Sequence, residues 1–259
     1  MNKRLFLFCL FLTSLMIACS DDEPEWNAEE VCPEAGINIY GMPNRGTFTD
    51  ERDGQVYRYT TIGNQVWMAE NLRYDAPYSM CCNDEKFVNQ YCTTIELDCE
   101  SESCCRESMC NLFGRYYSII ENGKEMGLID RALADTICPK GWHIPSKEEW
   151  EKLNDAMKVD GETDYDVANK IKHSDSIYFS ISSSPEYYPN VMLAGTDDCA
   201  LGVISSGSLY GENKADKIGA FFLTYTQKNE DFIYVYGISG KSDISSFYGY
   251  RTTIRCVMD

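Results

Sequence analysis

The chain has 259 residues, room for one domain of about 200 residues with an N-terminal extension, or for two smaller domains. Its 41 acidic residues against 23 basic ones give a formal net charge of −18. A nucleic acid would be repelled at long range, so nucleic-acid partners are set aside.

Lys3 and Arg4 precede an apolar stretch from Leu5 to Ile17, too short to span a bilayer and suited to the h-region of an export signal. The boundary "LMIAC" resembles a bacterial lipobox, which makes residues 1–18 a lipoprotein signal peptide and Cys19 the lipidated residue. An ordinary signal cut nearby, with Cys19 unmodified, is the alternative. Acyl chains would supply about 0.8 kcal/mol per buried CH₂, and more than one chain makes the anchor stable. The expected location is exported, at the outer membrane or cell surface, with membrane contact through the N-terminal lipid alone. "SDDEPEWNAEE" follows, with no Lys or Arg before Arg45, so residues 19–52 read as an acidic, solvated tether. The run also resembles the acidic signal that follows the lipid cysteine in some Bacteroidetes-type surface lipoproteins.

From residue 53 to 259 the pattern is that of a folded domain. "DGQVYRYTTIGNQVWMAENL" contains two strand-like runs, Val56 to Ile62 and Gln65 to Ala69, around Gly63-Asn64, a pair that suits a type II′ hairpin turn. Thirteen cysteines occur; setting aside Cys9 and Cys19 leaves eleven, an exported disulfide framework with one thiol over. Seven of them fall between Cys81 and Cys110, which reads as a stapled insertion lacking a core of its own. No C-x-x-C pair and no histidine occurs there, so structural zinc has little support.

Ile129, Leu133 and Ile137 keep helical spacing, predicting a first helix up to Cys138. "CPKGWHIPSKEEWEKL" then reads as a short strand feeding a second helix, in which Ser146 and Glu149 fit a capping box and Trp150, Leu153 and Met157 form one apolar stripe. "TDYDVANKIKH" adds helical turns. Beyond about Ser174, Gly-bounded pieces read as strands joined by long loops: "GAFFLTYT", "DFIYVYGI" and "GYRTTIRCVMD". The order indicates an α+β domain.

The hairpin, "CNLFGRYYS", the "CPKGWHIPS" block and "GYRTTIRCVMD" together resemble the FISUMP domain, the major paralogous domain family of Fibrobacter and Bacteroidetes-type bacteria, over about Asp53 to Asp259. The arrangement is also similar to the C-type lectin-like fold: a mostly antiparallel sheet, two helices, long loops and a disulfide staple. That resemblance implies a bond between Cys138 and Cys256, clipping the last strand to the end of the first helix. A pair between Cys199 and Cys256 is the alternative that spacing leaves open.

Little here points to catalysis. His143 lies between Trp142 and Ile144 in the proposed strand, and His173 stands in "NKIKHSDS". No G-x-S-x-G, no H-E-x-x-H and no phosphate-cradling glycine loop occurs. "DGETDYD", Asp160 to Asp166, fails as a calcium loop because Tyr165 holds the place of the required Gly and Ile171 that of the bidentate Glu. The expectation is no enzyme, no metal and no cofactor. The weighed alternatives are a structural envelope component and an enzyme related to the sulfatase-modifying factors. What remains is recognition of an extracellular polysaccharide or protein, in an adhesion-like role. The aromatic residues of the C-terminal loops are the candidate contacts: Tyr187, Tyr188, Tyr210, Phe247 and Tyr248, with Tyr250 beside them.

Overall fold

The computed structural model describes residues 26–77, 79–82, 102–117, 120–121, 124–125, 131–175, 194–210, 214–216, 219–227, 233–238, 241–247 and 250–259. In chain order the elements are α1 (Ala28–Val31), β1 (Arg45–Thr49), β2 (Val56–Ile62), β3 (Gln65–Met68), β4 (Ser79–Met80) and α2 (Glu102–Phe113). Then come β5 (Tyr116–Tyr117), β6 (Ile120–Glu121), β7 (Lys124–Glu125), α3 (Arg131–Ile137), β8 (Trp142–His143), α4 (Lys147–Ala156) and α5 (Asp164–Ile171). The C-terminal part holds β9 (Ser208–Tyr210), β10 (Lys214–Asp216), β11 (Ala220–Gln227), β12 (Ile233–Ile238), β13 (Ser242–Phe247), β14 (Tyr250–Arg251) and β15 (Val257–Met258). The architecture is mixed helix and antiparallel sheet.

The principal sheet has the order β1-β2-β3-β15-β8. Its hairpin turns at Gly63, whose φ of 57° beside a non-positive φ at Asn64 matches the signs of a type II′ turn. Strand alternation sorts its residues onto two faces. Tyr57, Tyr59, Val66, Met68 and Cys256 fall in one buried cluster; Ile62, Trp67 and Val257 fall in a second. The second is built around Trp150 of α4, which stacks on Tyr236 at 4.2 Å and on Phe222 at 5.3 Å and lies 4.4 Å from Trp67.

The α4 stripe of Trp150, Leu153 and Met157 is fully buried, and the capping box is in place: Ser146 Oγ accepts from Glu149 N at 3.2 Å and Glu149 Oε2 accepts from Ser146 N at 2.7 Å.

Three expectations need correction. The tether does not run to residue 52. From residue 26 the chain is part of the domain, because Phe48 gives β1 an apolar contact with Tyr57 and Trp142 and because Cys32 bonds to Cys199 across 167 residues. Five helices occur among the described residues rather than two. One of them, α2, lies at the end of the cysteine-rich stretch, burying Met109 and Phe113, so that stretch does contribute to a core. "GYRTTIRCVMD" is two short strands, not one, because Thr252 bridges to Tyr117 and Thr253 to Phe222 before the chain reaches the principal sheet at Val257.

Cys138 and Cys256 are disulfide-bonded, with Cα atoms 6.0 Å apart, and Cys81 is bonded to Cys110. Cys199 is taken by Cys32, so a pairing of Cys199 with Cys256 is not what the fold uses. No helix among the described residues is long and apolar enough to cross a membrane.

Candidate functional site

The loop aromatics are only partly placed. Tyr187, Tyr188 and Tyr248 lie outside the described residues, as does Cys19. Tyr210 ends β9 and is the cross-strand partner of Tyr250 in β14, in a small sheet of order β10-β9-β14. Phe247 ends β13 opposite Ile233, in the β11-β12-β13 sheet. The chain therefore brings Tyr210 opposite Tyr250 and keeps Phe247 three residues away along the chain.

The described aromatic surface that stands out is elsewhere. Phe48 of β1 stacks on Trp142 of β8 at 4.5 Å, with an interplanar angle of 19°. These are the outer strands of the principal sheet. In a flat five-stranded sheet they would be about 19 Å apart, so the sheet curls strongly over the Tyr57 and Tyr59 face. A hollow of about 390 Å³ opens beside the stack, lined by Met42, Phe48, Trp142 and Met258 and rimmed by Glu51, Arg52 and Lys140. Arg52 is held by the buried Asp50 carboxylate at 2.7 Å and lies 3.7 Å over the Tyr74 ring. Burial alone would lower its pKa; the Asp50 carboxylate outweighs that and raises it. The result is an apolar floor with charges on its edge, of which Arg52 is held in place, a geometry suited to the flat face of a ring-bearing ligand.

His143, on β8, is a clasp. Its Nε2 is 2.9 Å from Glu149 Oε1 and its Nδ1 is 2.6 Å from Asp259 Oδ1. The Glu149 hydrogen bond, against the opposing effect of burial, raises the His143 pKa above 6.5. Burial would raise the Glu149 pKa, but its bonds to His143 and to Ser146 N–H leave it lowered. With both ring nitrogens committed to carboxylates, the imidazole has no free position at which to accept a proton from a substrate. Glu149 thus serves both the capping box and the clasp.

Sequence reasoning missed Arg255. It is 1% exposed, and its guanidinium donates from Nε to Asn71 Oδ1 at 2.8 Å, from Nη2 to Gly202 O at 2.9 Å and from Nη1 to Leu201 O. Burial lowers its pKa to about 9, so it remains charged at neutral pH. Asn71 in turn donates to Phe113 O at 2.7 Å, and at Gly114, with φ of 77°, a Cβ would meet Asn71 Cβ at 2.6 Å. The "ENL", "FGR" and "IRC" pieces of the sequence therefore meet at one polar node. The available signal was a charged residue between the apolar Ile254 and Cys256, in a stretch whose pattern reads as a terminal strand.

His173 lies at a second, smaller hollow of about 100 Å³ beside this node, with Arg58, Glu70 and Gly202. No group of three or more His, Cys, Asp or Glu is disposed to hold a metal among the described residues.

The pieces that meet at the Arg255 node and at the Cys138–Cys256 bond are those of one domain family. The family model described as the Fibrobacter succinogenes major domain matches residues 60–257, about three quarters of the chain. No curated protein and no solved structure matches significantly. The chain belongs to the Fibrobacter succinogenes major domain family.

Proposed function

We propose that this chain is a non-catalytic lipoprotein of the outer membrane or cell surface that binds an extracellular polysaccharide or protein, with the Phe48–Trp142 hollow as a ligand-contacting surface. The observation that carries the reading is the hollow itself: an apolar, aromatic floor with a charged rim on which Arg52 is held in place by Asp50. A polysaccharide offers ring faces for such a floor and hydroxyls for such a rim. Absence of catalysis is supported by the engagement of both His143 nitrogens. It is further supported by the disulfides that occupy Cys32, Cys81, Cys110, Cys138, Cys199 and Cys256, none of which is then available as a metal-binding thiol.

The fold inferred is C-type lectin-like. Support comes from β15, which returns to pair with β3 of the first hairpin, while the Cys138–Cys256 bond ties that terminal segment to the end of α3. Export and lipidation at Cys19 rest on the N-terminal sequence pattern alone.

The test is a glycan and polysaccharide array probed with the full mature chain, with a Phe48→Ala variant, and with a variant in which Tyr187, Tyr188 and Tyr210 become Ala. A tenfold weaker signal, about 1.4 kcal/mol, in the Phe48→Ala variant supports the hollow. The same loss in the tyrosine variant alone moves the site to the C-terminal loops. Binding that survives both overturns each placement, and no binding to any glycan turns the reading to a protein ligand.

A further inference from the structure

From Ala35 to Asn44 the sequence reads "AGINIYGMPN", ten residues without a charge in a chain of which 25% is charged. Three of its large side chains point into solvent: Ile37 is 65% exposed, Ile39 67% and Tyr40 40%. Only two other large apolar side chains among the described residues, Val56 and Tyr165, are comparably exposed. Scattered single exposures are ordinary, but three within four residues of one turn are not.

The turn is built to hold them there. Asn38 Oδ1 accepts from Tyr40 N at 3.0 Å and from Met42 N at 3.1 Å, while Asn38 Nδ2 donates to Thr61 Oγ1 at 3.2 Å. Asn38 N donates to Met42 O at 2.8 Å and Gly41 N to Asn38 O at 3.0 Å. Four of the five amide donors from Asn38 to Met42, those of Asn38, Tyr40, Gly41 and Met42, are thus satisfied inside the turn. A backbone that enters a lipid interface needs this, because water is no longer there to take the bonds. Tyr is also the residue type that sits at a headgroup boundary, with an apolar ring and a polar tip.

The position of the turn selects the occupant. Asn38 is fixed to Thr61, and two residues on, just past the end of β2, the amide of Gly63 donates to Val31 O at 2.7 Å. The turn and the segment by which the chain enters the domain therefore lie at the same end of β2. Seven residue steps separate Cys19 from Trp26, a reach of at most about 25 Å. We propose that the Ile37–Tyr40 turn is a membrane-contacting tip, which lays Ile37, Ile39 and Tyr40 against the headgroup and acyl boundary of the bilayer that anchors the chain. The inference rests on the lipid-anchor part of the function proposed above. The acyl chains supply the hold and the turn sets the orientation, so that one end of β2 faces lipid. Asp21, Asp22, Glu23 and Glu25 in the intervening chain disfavour a strongly anionic surface, and the contact is apolar rather than electrostatic.

The test uses a Tyr40→Trp variant of the full mature chain on phosphatidylcholine vesicles with brominated acyl chains, which quench tryptophan at the boundary. The wild-type emission, from the buried Trp67, Trp142 and Trp150 and the half-buried Trp26, is measured on the same vesicles and subtracted. The expected result is at least twofold quenching of the difference emission, lost when Ile37 and Ile39 are both changed to Ser. A second arm replaces Cys19 by Ala and holds the chain at the vesicle through an N-terminal hexahistidine on nickel-chelating lipid, so the readout does not require native lipidation. Difference emission that is not quenched in the nickel-held chain overturns the tip. Separately, a wild-type chain that partitions into the aqueous phase of a detergent extraction, as Cys19→Ala does, overturns the anchor.

Discussion

The Phe48 and Trp142 rings stack at 4.5 Å although they belong to the two outer strands of one five-stranded sheet. The contact closes the curl of that sheet and covers the Tyr57 and Tyr59 face. Phe48→Ala should therefore destabilise the domain as well as weaken ligand binding. A half-buried ring in an aromatic pair gives a loss of about 2 kcal/mol, and Phe48→Leu should recover more than half of it. Urea unfolding with the disulfides intact measures both. Equal stability of the Ala variant and wild type would mean that the stack does not hold the curl.

Arg255 offers a sharper case. It satisfies an Asn71 oxygen and two backbone carbonyls in a buried site. Arg255→Met leaves those acceptors unpaired, and Arg255→Lys supplies a compact ammonium where a planar fork is required. Both variants should lose about 3 kcal/mol or more, with Lys no better than a partial rescue. Thermal unfolding of the two variants checks this, and a Lys variant as stable as wild type would remove the geometric argument.

The His143 clasp carries a pH dependence with two edges. His143 is raised above its ordinary 6.5, so its contribution is complete below that value and is lost as pH rises through the higher folded value. Glu149 is lowered below 4.5, so its contribution is complete above that value and is lost as pH falls through the lower folded one. The stability difference between wild type and His143→Gln should be greatest between about pH 4.5 and 6.5 and shrink on either side. Its maximum should be about 1 kcal/mol, since both partners are partly solvated. Unfolding curves across pH 3.5 to 9, on the order of ten points, would show a flat difference if the clasp were idle.

Cys32 and Cys199 tie the N-terminal segment to the domain. Replacing both by Ala opens a 167-residue loop, which the chain-entropy account values at about 5 kcal/mol. Arg45 donates to Cys32 O and to Asp198 O, so β1 should loosen first. Trypsin cleavage after Arg45 is expected to accelerate well before global unfolding, and limited proteolysis followed by mass measurement reads it. Cleavage unchanged at Arg45 would show that β1 is held by its ladder with β2 alone.

Much of the framework is legible in the sequence itself. The hairpin around Gly63-Asn64, the helix opened by Ser146 and Glu149, and the strands at 220–227 and 233–238 follow from local periodicity and turn chemistry, which act between near neighbours. β1 was not legible. "RGTFT" carries a single large apolar residue, and the acidic run before it dominates the composition. Its place in the sheet depends on a partner ring at Trp142, 94 positions later in numbering and unreadable from local pattern.

The candidate site divides the same way. Tyr210 and Tyr250 become neighbours only through the pairing of β9 with β14, and the Phe48–Trp142 hollow exists only because a five-stranded sheet curls. The family pieces "ENL", "FGR" and "IRC" could be matched as words, but their meeting at Arg255 is a long-range event. By itself the sequence determined the acidic balance, the export pattern, the family and the helices and strands whose periodicity is local. Tertiary structure alone decided where the domain begins, that Cys32 pairs with Cys199 and which aromatic rings share a surface. The physical reason is range: capping, turns and amphipathic stripes are set within a few residues, whereas burial of a charge or a ring depends on whatever the rest of the chain brings against it.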